Sequence, residues 1–388
     1  MTVLAVAALS ARMLAEAATD DGFDVVALDL FGDADTRRAG SHWVPIGSAA
    51  ALQIDAELLL TALAALAQRE GAIGWIAGSG FEGRPELLER GAELLPLIGT
   101  SANSVRRVRD PSAFFGFLDV QSIAHPKVRM TAPADAAGWL AKDAHACGGW
   151  HIHRVAVQRD STRAMPSVPA HHYFQREIPG VPMSATFLAN GHDASVLGFN
   201  RLIVRRFGAR PFVYCGVVGP VPLSADVAIR ITAATRVLAR QYSLRGLASL
   251  DFMLDGDAFN VLEVNPRPPA SMALYGRHFA VSGSMGVVAA HLNACLRDEL
   301  PVWPAPAANA AVRGTVIVFA SRPLWLDEPA ARQLAERAAC HDLPAAATRF
   351  EAGDPVCSVS ASAASAEQVL SLLERRCESV HQFLETCR

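Results

Sequence analysis

The chain has 388 residues, 51% of them apolar and 19% charged, with a formal net charge of −3. That length suggests two or three domains, and that apolar content supplies large cores and excludes wholesale disorder. The charge balance holds no basic surplus or stripe, so a nucleic-acid binder is excluded, and no stretch is long and apolar enough for a membrane span.

Residues 1–100 alternate strands and helices. The apolar run at 2–9 reads as a strand and residues 10–20 as a helix. The start looks like a secretory signal in its apolar run, but it lacks a basic leader and Arg12 interrupts it. A second strand over 23–30 ends near Asp29, and a polar loop follows at 31–40. An amphipathic helix over 53–69, a strand entering a Gly-rich turn at 72–80 and a helix over 85–95 complete a parallel, doubly wound pattern. Ligands bind beyond the carboxyl ends of such strands. Ser10, Asp29, Gly80 and Glu82 follow those strands, and together with Arg12 they are the substrate-facing candidates. The GSGFEG run is no dinucleotide fingerprint, because it lacks GxGxxG and a suitably placed acid.

Residues 101–130 read as helical and then extended, and 131–210 as β-rich. A helix over 221–242 has Ser224 as its N-cap, another spans 283–299, and the Pro/Ala-rich 301–311 is a linker. A small module begins at 313. The basic residues are almost all Arg, with Lys127 and Lys142 the only lysines. A lysine kept in such a background is a candidate for a compact charge on phosphate. Seven scattered Cys without CxxC spacing point to a reducing cytoplasm rather than to disulfides or zinc. The twelve His show no paired-ligand spacing, and His151 and His153 lack a third ligand.

Three elements carry the chemistry. The stretch 247–271 reads as a hairpin around the three-residue turn Asp255-Gly256-Asp257, with Leu254 opposite Ala258. Ser249, Asp251, Met253, Phe259, Val261, Glu263 and Asn265 then share one face, and Asp251 lies diagonal to Glu263 at about 7–8 Å. A two-residue turn would put Asp251 and Glu263 on opposite faces. Hard oxygen donors without His or Cys favour Mg²⁺ or Mn²⁺, and Arg267 continues the face as an anion clamp. Earlier, Lys142 on an extended segment precedes Gly148-Gly149, whose free N–H groups can cover phosphates. Between them, a strand at Tyr173–Ile178 passes a Pro-Gly turn into another strand, where backbone groups can read an adenine edge.

In this order and spacing the elements resemble the ATP-grasp superfamily. The resemblance implies an α/β (α+β) ATP-grasp fold. It would comprise an N-terminal α/β domain (1–100), an ATP-grasp domain (101–300) and a small β-rich C-terminal domain (301–388). It implies ATP and Mg²⁺ (or Mn²⁺) as cofactors. Lys142 would contact the α/β-phosphates and Gly148 and Gly149 would form the lid. Gln175, Arg176, Glu177 and Ile178 would line adenine and ribose, and Asp251, Glu263 and Asn265 would hold the metal. Arg267 and Arg245 would act on the acyl phosphate. Arg109 stands where the family usually has its first lysine. Ser249 replaces the oxyanion Arg of D-alanine–D-alanine ligases, which argues against that subfamily. Residues 10–38 and 78–88 look like a carboligase group similar to the tyramine–glutamate ligase of methanofuran-type cofactor synthesis. The implied reaction joins a small carboxylate to an amine in the cytoplasm, with a homodimer the assembly considered. Carboxyphosphate enzymes of the same fold and a non-catalytic ATP-binding protein are the rivals.

Overall fold

Val3–Ala7 is buried at every position, as an inner strand covered by helices on both faces must be. The computed structural model describes residues 2–155, 171–276, 285–302 and 311–387. In its N-terminal part, four strands run parallel in the order His42–Pro45, Asp24–Asp29, Val3–Ala7, Ala72–Ala77. Residues on alternate sides of these strands enter two separate cores. Leu4, Val6, Val25 and Ala27 pack with Leu14 of helix Arg12–Asp20. Val3, Ala5, Val26 and Leu28 pack with Leu59 and Leu63 of helix Ala56–Ala67 and Leu87 of helix Pro85–Leu94. The doubly wound expectation is met.

Two local expectations are corrected. The stretch 31–40 is not all loop, since Ala34–Ala39 is helical. Its short turn is held by tertiary contacts: the Asp35 carboxylate accepts the N–H groups of Asp342 and Leu343 at 2.7 and 3.1 Å. His42–Pro45, half exposed and without clear alternation, is a fourth strand that the sequence pattern did not reveal.

Helices Ala102–Val108 and Pro111–Val120 lead to a small antiparallel sheet, ordered Val128–Arg129, His172–Arg176, Trp139–Asp143, His153–Arg154. An eight-stranded sheet follows. Its order is Ala258–Asn265, Arg245–Asp255, Val181–Asn190, Ala194–Phe207, Arg210–Gly219, Val312–Phe319, Pro355–Ala363, Cys340–His341. The C-terminal strands therefore extend the central sheet, with Val312–Phe319 pairing onto Arg210–Gly219. Helix Ala225–Gln241 begins after Ser224 as expected, but the Ser224 hydroxyl donates to Asp257 at 3.1 Å and does not cap. Helix Val287–Leu296 lies within the expected 283–299, of which 283 and 284 fall outside the described residues. Most of the proposed linker at 301–311 and part of the β-rich 131–210 also fall outside them.

Candidate nucleotide and metal site

The hairpin that gathers the acidic residues has a different register from the expected one. Its turn is two residues long, with Asp255 opposite Ala258 and Gly256 at φ +57°. Glycine at the first central position is what a II′ turn calls for. That register would send Asp251 and Glu263 to opposite faces. A β-bulge after Asp251 restores them to one face and sets them directly opposite. Phe259 and Val261, expected on the polar face, turn into the core with Leu250 and Phe252. Leu262, expected in the core, lines the cleft instead.

Asp251 and Glu263 are two half-buried carboxylates facing each other. Burial first, and then Glu263, pushes the Asp251 carboxyl up to about 7, against the pull of Arg267. Burial would raise Glu263 too, but Arg109, Lys142 and His151 hold it below the usual carboxylate value. Asn265 Nδ2 donates to Asp251 Oδ2 at 3.0 Å and to Ser249 Oγ at 3.2 Å. Ser249 in turn donates to Asp251 Oδ1 at 3.3 Å.

Across a cleft of about 420 Å³, the small sheet supplies the facing wall. Tyr173 pairs with Lys142 and Gln175 with Leu140, so these four share a face. Lys142 is buried and donates to Gln175 Oε1 at 3.3 Å. Burial would lower its pKa, yet Tyr173 and Glu263 raise it above the usual lysine value, so it stays charged. The Gln175 Nε2 is buried with no hydrogen-bond partner among the described residues, a costly state unless a ligand accepts from it. Arg176, Glu177 and Ile178 follow along the cleft edge. The strand ends at Arg176, short of the expected Ile178. The Glu177 carboxylate is met by Arg154 at 2.6 and 2.9 Å, and Arg176 donates to the Ala137 carbonyl at 2.6 Å.

Gly148 and Gly149 line the same cleft at φ +71° and +77°. The loop rests on the central sheet, where Tyr214 N–H donates to the Gly148 carbonyl at 2.9 Å. Next to it, Trp150 packs on Phe207 and Phe319. Arg109 is buried beneath this loop. Its guanidinium donates to the carbonyls of Ala144 and Ala146, each at 2.9 Å, and meets Glu263 at 3.2 Å. The Cys147 thiol is pushed up to about 12 by Glu82 and by burial, which leaves it protonated and a poor nucleophile.

Arg267 lines the cleft, and its Nε donates to Glu82 at 2.6 Å. Glu82 also accepts the Gly80 N–H at 2.8 Å, so this pair of N-terminal candidates reaches the acidic hairpin. Burial would raise Glu82, but Arg267 and Arg109 hold it down. Arg245 lines a small cavity with Glu82 and Arg267 but not the main cleft, and the remaining candidates stand apart. Arg245 donates to Asp298 at 2.6 Å and to the Cys295 carbonyl at 3.0 Å. It lies six positions along the strand from Asp251, about 20 Å. Arg12 pairs with Asp342 and Glu16, each at 2.7 Å. Asp29 accepts from Ala11, Phe31, Gly32 and the Trp43 indole, so it is a saturated turn carboxylate. Ser10 is half buried in the loop between Val3–Ala7 and Arg12–Asp20, and it does not line the cleft.

Sequence reasoning missed Tyr214 and Ser184, which also line the cleft. Burial and then Asp251 raise the Tyr214 phenol. Neither lies in a recognisable motif, and only the strand pairing brings them in.

Residues 110–271 match the ATP-grasp domain family. Two carbamoyl phosphate synthase large chains are relatives. That of Kocuria rhizophila is 26% identical over 45% of this chain and 17% of its own length. That of Thermus thermophilus is 25% identical over 64% and 26%. The matched part is thus about a fifth of the length of such relatives. Among solved structures, an L-amino acid ligase from Bacillus licheniformis superposes with a TM-score of 0.67 at 14% identity, covering 98% of this chain and 97% of that one. An N5-carboxyaminoimidazole ribonucleotide synthetase from Thermus thermophilus gives 0.65 at 16%, covering 97% and 98%. The fold is the ATP-grasp fold.

Proposed function

We propose that the protein is an ATP-dependent ligase that joins a carboxylate to an amine through an acyl phosphate. The observation that supports this best is the pairing of the two cleft walls. One offers the buried, charged Lys142 and the unpartnered Gln175 amide, and the other offers Asp251, Glu263, Asn265 and Arg267.

The donor set fits a hard divalent cation. Asp251 and Glu263 stand opposed, with Asp251 forced toward neutrality by burial and then by its neighbour, and a cation is the partner that relieves both. Asp251, Glu263 and the Asn265 carbonyl oxygen would hold Mg²⁺ or Mn²⁺. The ion would offset phosphate charge during γ-phosphoryl transfer.

The chain's own groups do the rest. Lys142 binds the α/β-phosphates as a fixed charge. Gln175 Nε2 donates to the bound nucleotide. Because Arg154 already neutralises Glu177, the segment 176–178 offers mainly backbone groups to adenine and ribose. Substrate carboxylate attacks the γ-phosphorus and expels ADP. The amine then attacks the acyl carbon and phosphate leaves, giving the amide. Arg267, aimed by Glu82, steadies the transferred phosphoryl group and the tetrahedral oxyanion. The Gly148-Gly149 loop excludes water, which would hydrolyse the acyl phosphate.

Arg245, the other residue expected to act on the acyl phosphate, lines a small cavity with Glu82 and Arg267 while its guanidinium pairs with Asp298. For the substrates, the resemblance of residues 10–38 and 78–88 supports glutamate as the acid and tyramine as the amine. We also propose units at 1–100, 101–300 and 301–388, and a cytoplasmic location. No helix of the described residues is long and apolar enough to cross a membrane. The names of the similar carbamoyl phosphate and carboxyaminoimidazole synthetases favour a second reading, chemistry through carboxyphosphate.

The test is phosphate release from ATP and Mg²⁺ with glutamate and a panel of amines, with products identified by mass. Release that requires both acid and amine, with an amide formed, is expected. Bicarbonate-dependent release without an amine would support the second reading. ATP binding with no turnover under any of these conditions would end the ligase proposal.

A further inference from the structure

Outside the cleft, the chain folds three imidazoles and a carboxylate into one corner. His172 pairs with Asp143 across the small sheet, so both point to the face turned away from Lys142 and Gln175. His171 precedes His172, and its Nε2 lies 3.6 Å from Asp143 Oδ2. The His171 and His172 rings are 4.7 Å apart. His145 stacks on His171 at 4.8 Å with 12° between the planes. One ligand atom from each of Asp143, His171 and His172 falls within 4.8 Å of the other two.

The bonding around this corner leaves it open to a cation. Asp143 Oδ1 accepts the His145 N–H at 2.8 Å, which fixes the carboxylate and turns Oδ2 toward the imidazoles. The His172 Nδ1 is buried and has no hydrogen-bond partner among the described residues, a state with a real desolvation cost. We propose that Asp143, His171 and His172 form a second cation site, for a borderline divalent transition ion of the zinc class.

Imidazole nitrogens with a single carboxylate suit Zn²⁺ or Co²⁺ and not Mg²⁺. Bonds of about 2.0–2.2 Å would draw the three ligand atoms together by roughly 1.5 Å, within reach of side-chain rotation. Three protein ligands leave a fourth position for water or another ligand. The ion would clamp the two strands that carry Lys142 and Gln175 from behind, and the site is independent of the ligase reading.

The test uses untagged, chelator-treated protein titrated with Zn²⁺ by calorimetry in excess Mg²⁺, and with Co²⁺ by visible absorption. One equivalent is expected, with the strong visible bands of a four-coordinate cobalt–imidazole site. His171→Ala and His172→Ala should each weaken binding at least tenfold, while Asp251→Asn leaves it unchanged. His172→Gln, with its melting temperature compared to the parent, separates ligand loss from misfolding. Binding that survives both His variants, binding abolished by Asp251→Asn, or no binding by the parent protein would overturn the site.

Discussion

Arg267 and Glu82, 185 positions apart, form a charged hydrogen bond of 2.6 Å that joins the acidic hairpin to the Gly-rich turn of the parallel domain. Glu82 is almost wholly buried, with its side chain 3% exposed. Removing one charge of such a pair leaves the other uncompensated. Glu82→Gln should therefore cost about 3 kcal/mol, read as a lowered denaturation midpoint at unchanged slope. A loss below about 0.5 kcal/mol, the range of an ordinary surface substitution, would show that the pair is solvated.

The two carboxylates of the hairpin should respond oppositely in stability and alike in turnover. Glu263 neutralises the buried Arg109, so Glu263→Gln strands a guanidinium and should destabilise by about 2 kcal/mol. Asp251 faces a like charge, and its carboxylate keeps only the neutral donors Asn265 and Ser249 and the more distant Arg267, so Asp251→Asn should be neutral or stabilising by about 1 kcal/mol. Both variants should lose at least a hundredfold in ATP turnover, since either change removes a proposed metal ligand. Equal melting temperatures for the two would show that Arg109 does not depend on Glu263. Retained turnover in Glu263→Gln would remove it from the metal site.

This hairpin also shows where sequence reading stops. The set Asp251, Glu263, Asn265, Arg267 was legible because hard oxygen donors beside an Arg are rare on an ordinary solvated strand. The bulge was not, because Val261 and Leu262 are both apolar and alternation cannot say which of them faces the core. The partners of the site residues were equally hidden. Arg12 meets Asp342 across 330 positions and Arg109 meets Glu263 across 154, and such contacts leave no local pattern. Lys142 stood out only because lysine is so scarce here. The doubly wound start was plain because its strands carry continuous apolar runs.

His291 joins two parts of the molecule while remaining neutral. Its Nδ1 accepts the Leu247 N–H at 2.8 Å and its Nε2–H donates to the Ile98 carbonyl at 2.9 Å. Full burial pushes its pKa down to about 4. The unfolded chain, with an ordinary value near 6.5, takes up the proton first. Stability is therefore fully present above about 6.5 and declines as pH falls toward 4, by about 2 kcal/mol at pH 5. Urea unfolding at pH 5.0 and 7.5 measures it, against His291→Gln, which keeps a donor and an acceptor but cannot titrate. An identical pH difference in both proteins would place the proton uptake elsewhere.

The adjacent glycines of the cleft loop offer a matched pair. Both have positive φ, so alanine at either carries backbone strain of about 1 kcal/mol. They differ in what a methyl group would meet. At Gly148 the nearest atom is the Trp150 ring edge at 3.5 Å, an ordinary contact, whereas at Gly149 the methyl would run into the Phe212 carbonyl. Gly148→Ala should thus keep the loop seated, with an ATP KM within about threefold of the parent, because strain alone leaves the Tyr214–Gly148 bond intact. Gly149→Ala must lift the loop off the strand. It should raise the ATP KM at least tenfold and expose the Tyr214 amide to hydrogen exchange, since a displaced loop neither covers phosphate nor excludes water. If the two variants behave alike in both measurements, backbone strain decides the loop's behaviour and its seat on Phe212 contributes nothing to nucleotide binding.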